Sequence, residues 1–340
     1  MLALVASAWV AACAAHLRDA APRRPEAPAK WDEATFESKE LVTYALPLDR
    51  SGKPADTVIG RPQTYTIRKG DTLLDVARYF DLGYNEIVAA NPGVDPWVPK
   101  PGTEIVLPTE WVLPCCSYDG IVVNIPEMRL YHYRRPRGSK DSLMVATYPV
   151  GLGRDDRRTP RGSFRVASKT VNPTWNIPES IRREHIKERG DHRWSIPGGA
   201  PDNPLGKYRL SLANSRYAIH GTNIPWGVGM QVSHGCLRLY PEDIERWFPE
   251  VPVGTRVQFV YQPVKAGERD GVTYVEVHED IYRYERSLPA SAKQALAQRK
   301  LGGVDKQLVE AAISEPTGIP VPVSRATQQA RASGSLDAAE

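Results

Sequence analysis

Cysteine is scarce in this chain: four in 340 residues, namely Cys13, the neighbours Cys115 and Cys116, and Cys236. That is too few for a disulfide-stapled scaffold, and no C-x-x-C pair suggests a zinc ribbon. An excess of one charge is also missing. The net charge of +4 argues against a dedicated nucleic-acid binder, whose basic residues neutralise many phosphates. The apolar stretch from Met1 to Ala15 falls short of the ~20 residues that a membrane-spanning helix needs. Thirty prolines are present, but without a collagen-like period. What remains is the composition of a soluble globular protein, 41% hydrophobic and 25% charged, long enough for two domains of ~100–200 residues and flexible ends.

The N-terminal run ends in Val10-Ala11-Ala12-Cys13. A short apolar segment followed by small residues reads as an export signal over residues 1–15. Small residues directly before a cysteine also resemble a bacterial lipobox, which would make Cys13 a lipidated residue. No Lys or Arg precedes the run, so either the true start lies upstream or the segment is a plain cleaved signal. Residues 16–62 are rich in Ala, Pro and charge with little periodicity, and read as a linker.

At Gln63 the texture changes. Thr64–Ile67 reads as a strand, and Gly70-Asp71-Thr72 as a turn that caps a helix carrying Leu73, Val76, Ala77 and Phe80. A second short helix with Ile87 and Val88 stops at Asn91-Pro92-Gly93, and Glu104–Pro108 closes the unit as a strand. This βααβ pattern over residues 63–109, with Y-T-I-R-K-G-D-T-L and A-A-N-P followed by I-V-L-P, resembles a LysM module. The resemblance implies binding of N-acetylglucosamine-containing glycans such as peptidoglycan, with Gly70, Asp71, Thr72, Asn91 and Pro92 as candidate contacts. The alternative is that Gly70, Asp71 and Asn91 serve only as caps and turns.

Residues 118–261 are mainly β, with strands expected at 120–125, 129–133, 143–150, 163–167, 208–212 and 256–261. One helix is plain: Pro241 in its first turn, then Glu242 and Asp243, with Ile244, Trp247 and Phe248 on one face. Beyond residue 262 a strand over 273–278 and two short helical patterns give way to Pro, Ser, Ala and Gln, so 262–340 reads as a largely flexible extension.

The chemistry concentrates in Tyr217-Ala218-Ile219-His220-Gly221-Thr222-Asn223 and Val232-Ser233-His234-Gly235-Cys236-Leu237-Arg238. A thiol is mostly protonated at neutral pH, so a cysteine nucleophile needs a base or cationic partner. His220 and His234 both stand near Cys236 in sequence. A turn at Gly235 would expose the sulfur and leave the Gly235 and Cys236 amides free to hold an oxyanion. A zinc site from His220, His234 and Cys236, completed by His185 or His192, is a weaker reading. Between Arg154 and Trp194, eleven basic residues face six acidic ones, with Trp175 and Trp194 interleaved. The segment reads either as a solvated loop or as a lid whose charge attracts carboxylate-rich peptides.

At these residues the chain resembles the L,D-transpeptidase family, with its YkuD-type catalytic domain. A histidine followed by S-H-G-C, the stretches T-P-R-G-S-F, P-G-G, N-P-L-G and I-H-G-T-N, and Arg238 at the end of the core motif all agree with it. The resemblance implies a mainly β catalytic domain, a sandwich or barrel with one helix after the nucleophile. It assigns Cys236 as the acylated nucleophile and His220 as general base, oriented by the Gly221 carbonyl. Ser233, His234 and Gly235 fall at supporting positions, and Arg238 lies near substrate or beneath the motif. The implied activity releases the terminal D-alanine of a stem tetrapeptide and joins the diamino acid carbonyl to an amine of another stem or of an envelope protein. Hydrolysis of the same stems and non-catalytic anchoring to peptidoglycan are the alternatives. The implied partners are glycan strands, stem peptides and an envelope protein as acceptor, with no nucleic acid and no membrane contact except a lipid on Cys13. No metal or organic cofactor is implied, and the expected location is the periplasm or cell envelope.

Overall fold

A computed structural model describes residues 28–324 apart from positions 29, 40 and 137. The export-signal and Cys13 readings therefore lie outside the described residues. The chain is mainly β, with a βααβ unit ahead of the main sheet, as the sequence leads one to expect.

Nine strands form the main sheet, in the order Thr43–Pro47, Ser142–Pro149, Arg129–Arg134, Gly120–Asn124, Arg256–Val260, Gly162–Val171, Tyr208–Leu212, Ala218–His220 and Leu237–Arg238. Two of the pairings are parallel: Gly120–Asn124 with Arg256–Val260, and Ala218–His220 with Leu237–Arg238. The long strand Gly162–Val171 joins the two halves. Its first residues pair with Arg256–Phe259 and its later ones, past a bulge after Val166, with Tyr208–Leu212. A bulge bends a strand and raises its twist, so the sheet turns here. Ile121, Val123, Leu130, Leu210, Ile219, Leu237 and Phe259 fill the interior together with Ile244 and Trp247 from the helix Pro241–Trp247. The buried Trp247 Nε1–H donates to His132 Nδ1 at 3.0 Å, which satisfies its polar edge.

The other face of the sheet carries Val122, Tyr131, Tyr133, Leu143 and Val145, and it needs a cover. The βααβ unit supplies it. Its strands Gln63–Thr66 and Glu104–Leu107 and helices Leu73–Tyr79 and Tyr84–Ala89 bring Leu73, Val76, Leu82, Ile87 and Ile105 into one continuous apolar cluster with those sheet residues. Buried charge adds to the seam. Arg129 grips Glu86 at 2.8 and 2.7 Å, Arg78 bridges Glu33 and Glu242, and Lys39 lies within 3.3 Å of Asp81, Glu242 and Asp243.

Two expectations are corrected. Residues 30–62 are not a tether: the helix Glu33–Ser38, the sheet-edge strand Thr43–Pro47 and Val58–Gly60, paired with Glu110–Val112, are all built into the fold. The extension after 262 is also ordered as far as residue 324. Strands Val264–Arg269, Val272–Val277 and Val321–Pro322 and helices Leu288–Arg299 and Lys306–Ser314 close a separate core of Val264, Val275, Val277, Ala292 and Val323. Buried Lys265, paired inside the unit with Glu276 at 2.7 Å, fastens it to the rest through Glu127 at 2.8 Å and the Val112 carbonyl. Cys115 and Cys116 sit beside the seam as free thiols, with the Cys115 peptide clamped by Gln262.

Candidate active site

The parallel pair at the end of the sheet sets the site. Ile219 stands opposite Leu237, and His220 opposite Arg238. Ile219 and Leu237 are wholly buried in the core, so the period-2 alternation of a strand turns His220 and Arg238 to the other face. Cys236 shares the face of Arg238. The antiparallel neighbour adds Arg209, in register with His220, while Leu210 joins the core.

The bend before Cys236 needs glycine. Gly235 has φ +102, and a Cβ there would meet the Tyr217 ring at 2.7 Å. Ser233 holds the bend closed: its Oγ accepts the Gly235 N–H at 3.0 Å and donates to the Cys236 carbonyl at 2.6 Å. This corrects the expectation of two free amides. Gly235 N–H is engaged, whereas Cys236 N–H has no hydrogen-bond partner among the described residues.

His220 is buried, and its Nδ1 donates to the Gly221 carbonyl at 2.7 Å, leaving the Nε2 lone pair available. Burial, reinforced by the Arg238 charge, pulls its pKa down to about 3. Burial pushes the Cys236 thiol up, against the opposing pull of the Ala218 amide and of Arg209, Arg238 and Arg216. The resting pair is thus a thiol and a neutral imidazole.

His234 has a different place. Its Nε2 lies 3.2 Å from Glu184 Oε2, on the helix Glu179–Arg189, so it ties the nucleophile loop to the 154–194 segment. That segment contains a helix rather than only loop, and six of its eleven basic residues are paired with carboxylates. Arg154 and Arg157 meet Asp156 and Glu184, Arg158 meets Asp155, Arg182 and Arg183 meet Glu179, and Arg193 meets Asp191 and Asp202. His220, His234 and Cys236 do not converge as metal ligands. Among the described residues the one such grouping is Glu127, Glu276 and His278, and Lys265 already occupies it.

Two supports were not visible in the sequence reading. Thr159 Oγ1 donates to the Gly235 carbonyl at 3.2 Å and accepts the Gly153 N–H. Tyr282, from the C-terminal extension, donates to the Gly153 carbonyl at 2.6 Å and accepts the Thr159 N–H. T-P-R-G-S-F signalled Thr159 as part of a motif without its role, and nothing signalled Tyr282.

The candidate glycan contacts are mostly turned inward. Asp71 accepts from Trp31 Nε1, Tyr65 OH and Arg68 N–H. Thr72 caps the first helix through Asp75 N–H, and Asn91 bonds Ile87 O, Val106 O and Val106 N–H. Gly70 and Pro92 are exposed.

The YkuD L,D-transpeptidase catalytic domain matches residues 118–259, and the LysM domain residues 65–108. The Escherichia coli probable L,D-transpeptidase ErfK/SrfK is 38% identical over 299 residues, covering 85% of this chain and 93% of the relative. The E. coli probable L,D-transpeptidase YbiS is 38% identical, covering 82% and 91%. The E. coli probable L,D-transpeptidase YcfS is 34% identical, covering 85% and 93%. The chain belongs to the L,D-transpeptidase family. As an L,D-transpeptidase it is an enzyme with a LysM domain packed against its catalytic sheet. No described helix is long and apolar enough to cross a membrane.

Proposed function

We propose that this L,D-transpeptidase works through a thioester on Cys236 and acts on peptidoglycan stem tetrapeptides in the cell envelope. The observation that carries the reading is a half-buried thiol, one residue ahead of strand Leu237–Arg238, next to the strand face that carries a neutral histidine whose Nε2 is free. His220 Nε2 takes the thiol proton as Sγ bonds to the carbonyl carbon of the third-position diamino acid. The Cys236 N–H, without a hydrogen-bond partner among the described residues, stabilises the oxyanion. Collapse breaks the C–N bond, and His220 returns the proton to the departing D-alanine amine. An acceptor amine, from another stem or from a lysine of an envelope protein, then attacks the thioester, gives its proton to His220 and regenerates the thiol. Gly70, Pro92 and the rest of the LysM surface would hold the glycan strand nearby.

The test is incubation of the full chain with a disaccharide-tetrapeptide, followed by mass spectrometry. An acyl adduct on the Cys236 peptide, release of D-alanine and a cross-linked product are expected. Release without adduct formation, or product formation by Cys236→Ala, would remove the mechanism. Release with water as the sole acceptor would move the assignment to a carboxypeptidase.

A further inference from the structure

Three neighbouring strands place Arg209, His220 and Arg238 in one cross-strand row, with His220 in the middle. Adjacent strands lie ~4.8 Å apart, so the two guanidinium groups can reach over the imidazole from either side. Neither has an acidic partner among the described residues, and Arg238 Nε is buried with no hydrogen bond. The contrast with the 154–194 segment is sharp, because six arginines there each have a carboxylate within 4 Å. Arg216 also influences the thiol, but it is exposed and lies over the Tyr217 ring, outside the row. A half-buried cation held against a thiol and a neutral ring is costly unless an anion arrives to pair with it.

We infer that Arg209 and Arg238 form a two-armed receptor for the terminal carboxylate of the departing amino acid. The inference rests on the transpeptidase reading in one respect, the identity of the leaving group. The imidazole that takes the thiol proton must return it to the leaving nitrogen, so that nitrogen lies within hydrogen-bond reach of His220 Nε2. Its own carboxylate is two bonds further on, over the row that Arg209 and Arg238 flank. Guanidinium forks suit a carboxylate, and two of them select a free C-terminus over an amide or an extended peptide. Arg209 is then a specificity-determining residue for tetrapeptide over pentapeptide stems.

Two measurements on the full chain test this. The first compares alkylation of Cys236 by iodoacetate and iodoacetamide, with a small free thiol as reference. The wild type should favour the carboxylate reagent over the reference ratio by roughly tenfold, Arg209→Gln should lose most of that preference, and Arg209→Lys should keep part of it. The second compares D-alanine release from a tetrapeptide stem with alaninamide release from its C-terminal amide. Arg209→Gln should lower kcat/KM for the acid about 10- to 100-fold more than for the amide. An equal loss on both substrates, as misfolding would give, overturns the receptor, as does an undiminished iodoacetate preference in Arg209→Gln. If wild type releases neither leaving group while the iodoacetate preference depends on Arg209, the receptor stands and the transpeptidase reading of its ligand falls.

Discussion

In the LysM turn Asp71 accepts three hydrogen bonds and Asn91 takes part in three more. In the catalytic strands Arg209, Arg238 Nε and the Cys236 N–H have no protein partner among the described residues. Both sets are polar residues in recognisable motifs, yet only the second is left open for something outside the chain. Buried polar groups normally find partners inside the protein. The first set obeys that rule and so reports on folding, while the second breaks it and so reports on function. If the contrast is right, substitutions in the catalytic strands will change activity with little change in stability, and those in the LysM turn the reverse.

The largest effect is expected at the nucleophile. Cys236→Ala should lower acyl transfer by more than ~10³-fold, and His220→Ala by nearly as much, because the two act as a unit. The thermal midpoint of Cys236→Ala should stay close to wild type, checked by calorimetry beside the turnover assay. A large drop in stability would erase the contrast. The pH dependence sharpens it. Burial raises the Cys236 pKa and lowers that of His220 to about 3, so no thiolate–imidazolium pair exists at rest. The iodoacetamide rate should still be climbing at ~pH 8.5, where an ordinary thiol is half ionised. A plateau beginning below pH 6 would mean that an ion pair is present after all.

Tyr282→Phe comes next. It removes the donor to Gly153 O and the acceptor for Thr159 N–H, leaving buried groups unpaired at a cost of about 1–3 kcal/mol. Because Thr159 carries the Gly235 carbonyl, turnover should also fall roughly tenfold through displacement of the nucleophile. Urea titration and kinetics on the same sample check both. Unchanged turnover would show that the C-terminal unit supports the fold and not the site. Asn91→Ala should do the opposite. It breaks three hydrogen bonds and should cost about 2–4 kcal/mol, while sedimentation with peptidoglycan falls only as far as the protein unfolds. Loss of sedimentation at full stability would make Asn91 a ligand contact.

The sequence revealed what is local. Cys236, Gly235 and His220 carry their chemistry in short motifs, and the helix Pro241–Trp247 carries its own start signal and apolar face. Long-range pairings hid the rest. Thr43–Pro47 is a short run in a Pro-rich, charged context, and it is a strand because Ser142–Pro149 offers an open edge. Helix Glu179–Arg189 buries little beyond Ile181 and His185, which is too weak a periodicity to read. Lys39, Arg78 and Arg129 look like solvated charges until distant partners enclose them, Asp243 around Lys39 and Glu242 around Arg78 being 204 and 164 residues away. Tyr282 meets Gly153 across 129 residues. No window along the chain contains such a contact.

The smallest predicted effect lies between the two regions, where helix Pro241–Trp247 meets the LysM unit. Asp243 is fully buried, and its neighbours are Lys39, Asp81, Glu242 and the rings of Tyr148 and Tyr240. Lys39 and Arg78 are the cations of this cluster, against Glu33, Asp81, Glu242 and Asp243. Burial raises the Asp243 pKa to about 7, with Asp81 and Glu242 adding to the rise and Lys39 opposing it. A carboxyl with a raised folded pKa binds its proton more tightly in the folded state. Its contribution to stability is therefore fully present below the unfolded value near 3.8 and is lost as pH climbs through about 7. Asp243→Asn cannot ionise, so its stability curve should fall less steeply than that of wild type between pH 4 and pH 8, the difference isolating this one group. Lys39 and Arg78 keep their partner Glu242 in the variant, so the LysM unit should stay docked and turnover should scarcely move. Parallel stability curves for the two proteins would mean that Lys39 keeps Asp243 ionised throughout, and the seam would then belong with the LysM turn as a fully satisfied structural network.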